Sequence, residues 1–121
     1  MWQATPHQGL AEVAPDGSEV VVLDPRLDRR ERRAVLAHEL VHLERRLLPS
    51  GTNDAVIDRE EHQVRAETVR RLVPPDALAR LVAARIDVGP VTADLVADEF
   101  DVPLPVAVSA MSRLRQEQGL Q

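Results

Sequence analysis

The chain has 121 residues, a net charge of −5 and no cysteine, which excludes a disulfide framework and thiolate metal ligands and argues against nucleic acid as the main partner. Every basic residue is arginine and only Trp2 and Phe100 are aromatic, so one domain with a core of Leu, Val, Ile and Ala is expected. No apolar run reaches membrane-spanning length and the N-terminus lacks a hydrophobic signal segment, so a cytoplasmic location with no membrane partner is expected.

Residues 1–8 carry little beyond Trp2, which is expected to cover a core edge. Gly9 to Ala14 and the β-branched run Glu19 to Leu23 read as strands. Pro15-Asp16-Gly17-Ser18 between them is a turn, so the pair makes a hairpin. A two-stranded sheet is marginal alone and must lie on something apolar. The next helix is the natural floor.

Asp24-Pro25 ends the second strand. Asp28, with Glu31 three residues on, reads as an acidic capping box opening a helix from Arg29 to about Leu47. Leu36, Leu40, Leu43 and Leu47 recur at helical spacing as one apolar stripe, with Val35, His38, Val41 and His42 around the side. The middle of this helix is expected to be buried nearly all round.

That helix contains His38-Glu39-Leu40-Val41-His42, a His-Glu-x-x-His string. Residues four apart on a helix lie nearly in line, so two imidazoles can grip one zinc ion from the same side. Glu39, next to His38, can then take a proton from water at that metal. With this composition the string arises in roughly one shuffled sequence in a hundred, so it is treated as a signal.

Pro49 to Asn53 is a loop, and the tract up to Asp58 has no clear period. A second helix is expected from Arg59 to Leu72, ending before Pro74-Pro75. Glu61 projects onto its apolar face, Glu60 lies near the border, and Glu67 points away. A carboxylate on a buried stripe needs a partner, which nominates Glu61 as the third metal ligand. Asp76 is read as capping a third helix to about Ile86, with Leu78, Leu81 and Val82 inward. Gly89-Pro90 breaks this third helix, and Thr92 opens a fourth helix to about Phe100. Asp101-Val102-Pro103 turns into a fifth, from Pro105 to about Gln116. Leu95, Val96, Phe100, Val102, Val106, Met111 and Leu114 are the expected shared core. The expected class is α+β, mostly helical. A small N-terminal hairpin packs on the central His-Glu-x-x-His helix, and about four helices follow.

Ala37-His38-Glu39-Leu40-Val41-His42-Leu43, paired with the stretch from Glu61 to Pro74, resembles the ImmA/IrrE family of zinc metallopeptidases. The second helix of that family reads Glu-x-x-Ala-(Asn/Asp)-x-aromatic-Ala-Ala-x-Leu-Leu-x-Pro. Aligned on Leu72 and Pro74, its ligand Glu falls at Glu61, the residue chosen by the helical-face argument. The resemblance covers about residues 19–86. Arg65 stands where the family has Asn or Asp, Val64 and Thr68 replace alanines, and Glu67 replaces an aromatic. The N-terminal part is also shorter than is usual in the family.

The resemblance implies that His38, His42 and Glu61 bind zinc, with water in the fourth position and Glu39 as general base. It implies a single domain, with a metallopeptidase-like core at 1–86 and a C-terminal helical subdomain at 87–121. The implied activity is hydrolysis of peptide bonds in a specific intracellular regulator, such as a repressor. There is no tyrosine, so Arg65, His62 and His7 are candidates by elimination for holding the oxyanion or steadying the ligands. His62 is also a rival ligand, although on a helix it sits about 100° from Glu61. The strand Val20–Leu23 is expected to dock an extended peptide by β-addition. Two His and one carboxylate also suit iron or manganese.

Two other readings stand beside this one. The first is a metal-binding protein-interaction module with little or no turnover. The second is a DNA-binding regulator, because Leu95 to Leu114 has helix-turn-helix spacing. Early positions of that second helix are Pro105, Val106, Ala107 and Val108, and Asp87 to Asp101 holds five acids and no base. A helical cap or a protein-docking face suits this segment better than a DNA reader.

Overall fold

The turn at 14–18 closes the hairpin through short hydrogen bonds. Ala14 N–H donates to Ser18 O at 2.7 Å, and Gly17 N–H to Ala14 O at 2.9 Å. Gly17 has φ 89°, a left-handed conformation that suits glycine. Strands β1 (Gly9–Val13) and β2 (Glu19–Leu23) pair antiparallel with Ala11 opposite Val21. The computed structural model describes residues 8–117. Five helices follow among them: α1 (Arg29–Glu44), α2 (Asp54–Leu72), α3 (Pro75–Ala84), α4 (Ala93–Phe100) and α5 (Leu104–Glu117). The chain is therefore α+β and mostly helical, with four helices after α1. None of the described helices is long and apolar enough to cross a membrane. The described residues group into two compact units, 8–68 and 69–117.

In the first unit the hairpin packs on α1. Alternation along the strands turns Gly9, Ala11, Val21 and Leu23 to one face and leaves Leu10, Val20 and Val22 exposed on the other. Gly9 is where the backbone comes closest to α1. A Cβ there would lie 2.6 Å from Val35 Cγ1, and Val35 is itself buried. Gly9→Ala is therefore expected to destabilise the protein by about 1–3 kcal/mol, the usual cost of overpacking. Urea unfolding measures this, and an unchanged midpoint would show that the hairpin can slide away from α1.

Helix α1 begins as its capping box dictates. Asp28 Oδ1 accepts from Glu31 N–H at 2.8 Å, and Glu31 Oε1 accepts from Asp28 N–H at 3.3 Å. It ends at Glu44 and not at Leu47, because Arg46 turns left-handed with φ 67°. The leucine stripe is not the buried face. Leu36, Leu40 and Leu47 are 38–43% exposed, while Ala34, Val35, His38, Glu39 and Val41 are buried. At 100° per residue the buried set centres on nearly the opposite side of the helix from the leucines.

Helix α2 starts at Asp54, five residues before the expected Arg59. Asn53 Oδ1 accepts from Ala55 N–H at 2.7 Å, an N-cap that makes the seemingly aperiodic 54–58 helical. Within the first unit, Val64 and Thr68 are fully buried, and Thr68 Oγ1 donates to Val64 O at 2.6 Å.

In the second unit, α3 begins at Pro75, so Asp76 lies in its first turn and does not cap it. Proline at this position loses nothing, since its missing N–H would have had no helical partner. The helix stops at Ala84, short of Ile86. Leu78 is buried as expected, but Val82 is 39% exposed. Thr92 caps α4 by accepting from Leu95 N–H at 3.2 Å. Asp101 ends α4 in the left-handed conformation, φ 56°, and Val102 N–H donates to Ala97 O at 3.1 Å. Val96, Val102 and Val106 are fully buried. Ala97, Ala107 and Ala110 are also buried, whereas Leu95, Phe100, Met111 and Leu114 are only partly covered.

Candidate metal centre

The site is built from α1 and α2, within the first unit. Four-residue spacing puts His38 and His42 on the same side of α1, their rings 4.7 Å apart and edge-on at 86°. Glu61 reaches both from α2 and gives one carboxylate oxygen to each. His38 Nε2 donates to Glu61 Oε1 at 2.6 Å, and His42 Nε2 lies 2.9 Å from Glu61 Oε2. His38 is buried, and the side chains of His42 and Glu61 are 22% and 27% exposed. One side of the site is thus buried and the other partly open to solvent.

The other nitrogen of His38 faces a second carboxylate. Nδ1 donates to Glu39 Oε1 at 3.3 Å, and the Glu39 side chain is only 9% exposed. Burial works against a charged His38, but the hydrogen bonds from Glu39 and Glu61 and their charges outweigh it and raise its pKa to about 9. Burial alone would also raise Glu61. Its hydrogen bonds and charge pairing with His38 and His42 reverse that and hold it well below the usual carboxylate range.

His38, His42 and Glu61 each offer one ligand atom, all within 4.8 Å of one another, so the group could hold a metal ion. The donor set fits. Tetrahedral zinc with bonds of about 2.0–2.1 Å separates its ligand atoms by roughly 3.3 Å, so the 2.6 and 2.9 Å carboxylate–imidazole contacts would open and any wider spacing within the 4.8 Å group would close. A divalent cation would take the place of the contacts between the two imidazoles and Glu61. Glu39 behind His38 is the kind of outer carboxylate that fixes a metal-binding histidine's tautomer and orientation.

His62 is exposed and stands outside this group. Arg65 is half-buried, and its Nε is buried without a hydrogen-bond partner among the described residues. His7 lies outside the described residues. One cross-link was not foreseen. Arg45, just past the end of α1, donates from Nε and Nη2 to the two oxygens of Glu60, each at 2.8 Å, and from Nη2 to Gln63 Oε1. No periodic signal marks Arg45, because it follows the last helical residue. The clamp grips the residue next to Glu61 and so sets the rotation of α2 against α1. Arg45→Ala is expected to weaken zinc binding about tenfold, the low end for changes outside the ligand set, with Arg45→Lys in between. Competition against a chromophoric chelator measures both, and unchanged affinity in Arg45→Ala would remove the clamp from the account.

Compared with protein families, curated proteins and solved structures, the chain matches none.

Proposed function

We propose that the protein is a zinc-dependent endopeptidase that cleaves a specific intracellular regulator, of repressor type, and that it is a divergent relative of the ImmA/IrrE metallopeptidases. The observation that carries this reading is the convergence of His38, His42 and Glu61 with Glu39 directly beside them. His38 Nε2, His42 Nε2 and the Glu61 carboxylate would hold the ion. Zinc, when bound, supplies the Lewis acidity that makes water a nucleophile near neutral pH and polarises a peptide carbonyl. To act as the base, Glu39 would leave His38 Nδ1, turn toward the metal side, take the proton of that water and pass it to the leaving amine. The half-open side at His42 and Glu61 admits the substrate, and the buried side keeps His38 in place.

The exposed residues early on α5 are Leu104, Pro105 and Val108, which suit a protein contact better than a DNA groove. The second reading is a metal-binding interaction module without turnover. Its support is the near-complete burial of Glu39 and its engagement with His38. The test is cleavage: the zinc-loaded protein is co-expressed with candidate repressors and the fragments are identified by mass spectrometry. Discrete fragments that vanish in Glu39→Gln support the peptidase. Intact candidates throughout, despite stoichiometric zinc, favour the interaction module.

A further inference from the structure

The second unit holds a half-open cleft of about 570 Å³ between the end of α3, the Gly89-Pro90 turn and α5. Its walls are mostly apolar: Val82 and Ile86 on one side, Met111 and Leu114 on the other. Two guanidiniums interrupt them, Arg85 just past α3 and Arg115 in the last turn of α5. Arg85 Nε is buried in this setting and has no hydrogen-bond partner among the described residues. A buried donor left without an acceptor is costly. Val82 is 39% exposed and Ile86 81%, so apolar surface continues to the mouth. The size and the few polar groups in an apolar lining match a small-molecule site.

We propose that this cleft binds a small amphipathic carboxylate, an unbranched acyl chain ending in a carboxyl group. The chain lies along Val82, Ile86, Met111 and Leu114. The carboxylate pairs with the guanidinium of Arg85, a planar fork matched to a planar anion, with Arg115 adding charge. A cation of the same length has no partner there, and a neutral alcohol leaves the guanidiniums unsatisfied. The metal centre takes no part in this site.

The full-length chain offers a direct probe, because Met111 is one of only two methionines. Protein labelled at the methionine methyls is titrated with decanoate, decyl phosphate, decylamine and decanol. Decanoate is expected to shift the Met111 methyl saturably. Decanol and decylamine are expected to bind at least about tenfold more weakly, as loss of a charge-assisted bidentate pair implies. Arg85→Gln is expected to cost a similar factor, and Arg115→Gln less. Arg85→Lys keeps the charge without the planar fork and serves as a second variant should Arg85→Gln fold poorly; it is also expected to bind more weakly than the wild type. An unmoved Met111 methyl, equal binding of decanoate and decylamine, equal affinity in the wild type and both Arg85 variants, or tighter binding of decyl phosphate than of decanoate would each overturn the proposal.

Discussion

Replacing Glu61 by alanine is expected to cost the protein its metal. Glu61 touches both imidazoles, with one carboxylate oxygen on each Nε2. It also brings the negative charge that offsets a dication in a half-buried place. Without it two neutral imidazoles remain, and affinity should fall by more than the roughly 10–100-fold seen when only outer partners of a ligand are lost. Equilibrium competition with a chelator gives the number directly. Thermal unfolding gives a second reading. Zinc at a hundred times its dissociation constant stabilises a folded protein by about 2.7 kcal/mol, and that increment should vanish in Glu61→Ala. If the alanine variant bound zinc as the wild type does, the ion would sit elsewhere and the site would have to be abandoned.

Glu39→Gln is expected to do the reverse, keeping the metal and losing the chemistry. Glutamine fills the same buried space, and its amide can still meet His38 Nδ1, so the ligand set stays in place. It cannot accept a proton from water. Removing a general base of this kind slows turnover by about 10²–10⁴-fold. The two measurements separate the readings: zinc content unchanged with fragments gone indicates that Glu39 is the base. Loss of zinc along with activity would instead make Glu39 mainly a support for His38, as in the interaction-module reading. Turnover within a few-fold of the wild type would remove Glu39 from the mechanism.

The features legible in the sequence are those that short-range chemistry decides. The Asp28–Glu31 box, the Pro15–Ser18 turn and the Thr92 cap each involve groups within a few residues, and each forms as expected. The same holds for the alignment of His38 with His42, which depends only on helical pitch. Glu61 was legible for a related reason, since a carboxylate among apolar neighbours on one helix face calls for a partner wherever that face packs. Asn53, which caps α2, was read only as part of a loop, because the weak period of 54–58 hid the helix that follows it.

What the sequence by itself determined, then, is the order of elements, the hairpin turn, the caps of α1 and α4, and the three residues that come together at one site. Only the tertiary structure decided which face of α1 is turned inward. Leucine spacing pointed to Leu36, Leu40 and Leu47, yet the chain buries Val35, His38 and Val41, and the hairpin meets α1 at Val35 through Gly9. The physical reason is that an apolar stripe says only that a face can be buried. Which of two faces is chosen depends on the closeness that partners far along the chain allow. The small Gly9 permits contact on one side, and Glu61 and the Arg45–Glu60 clamp hold α2 at the histidines.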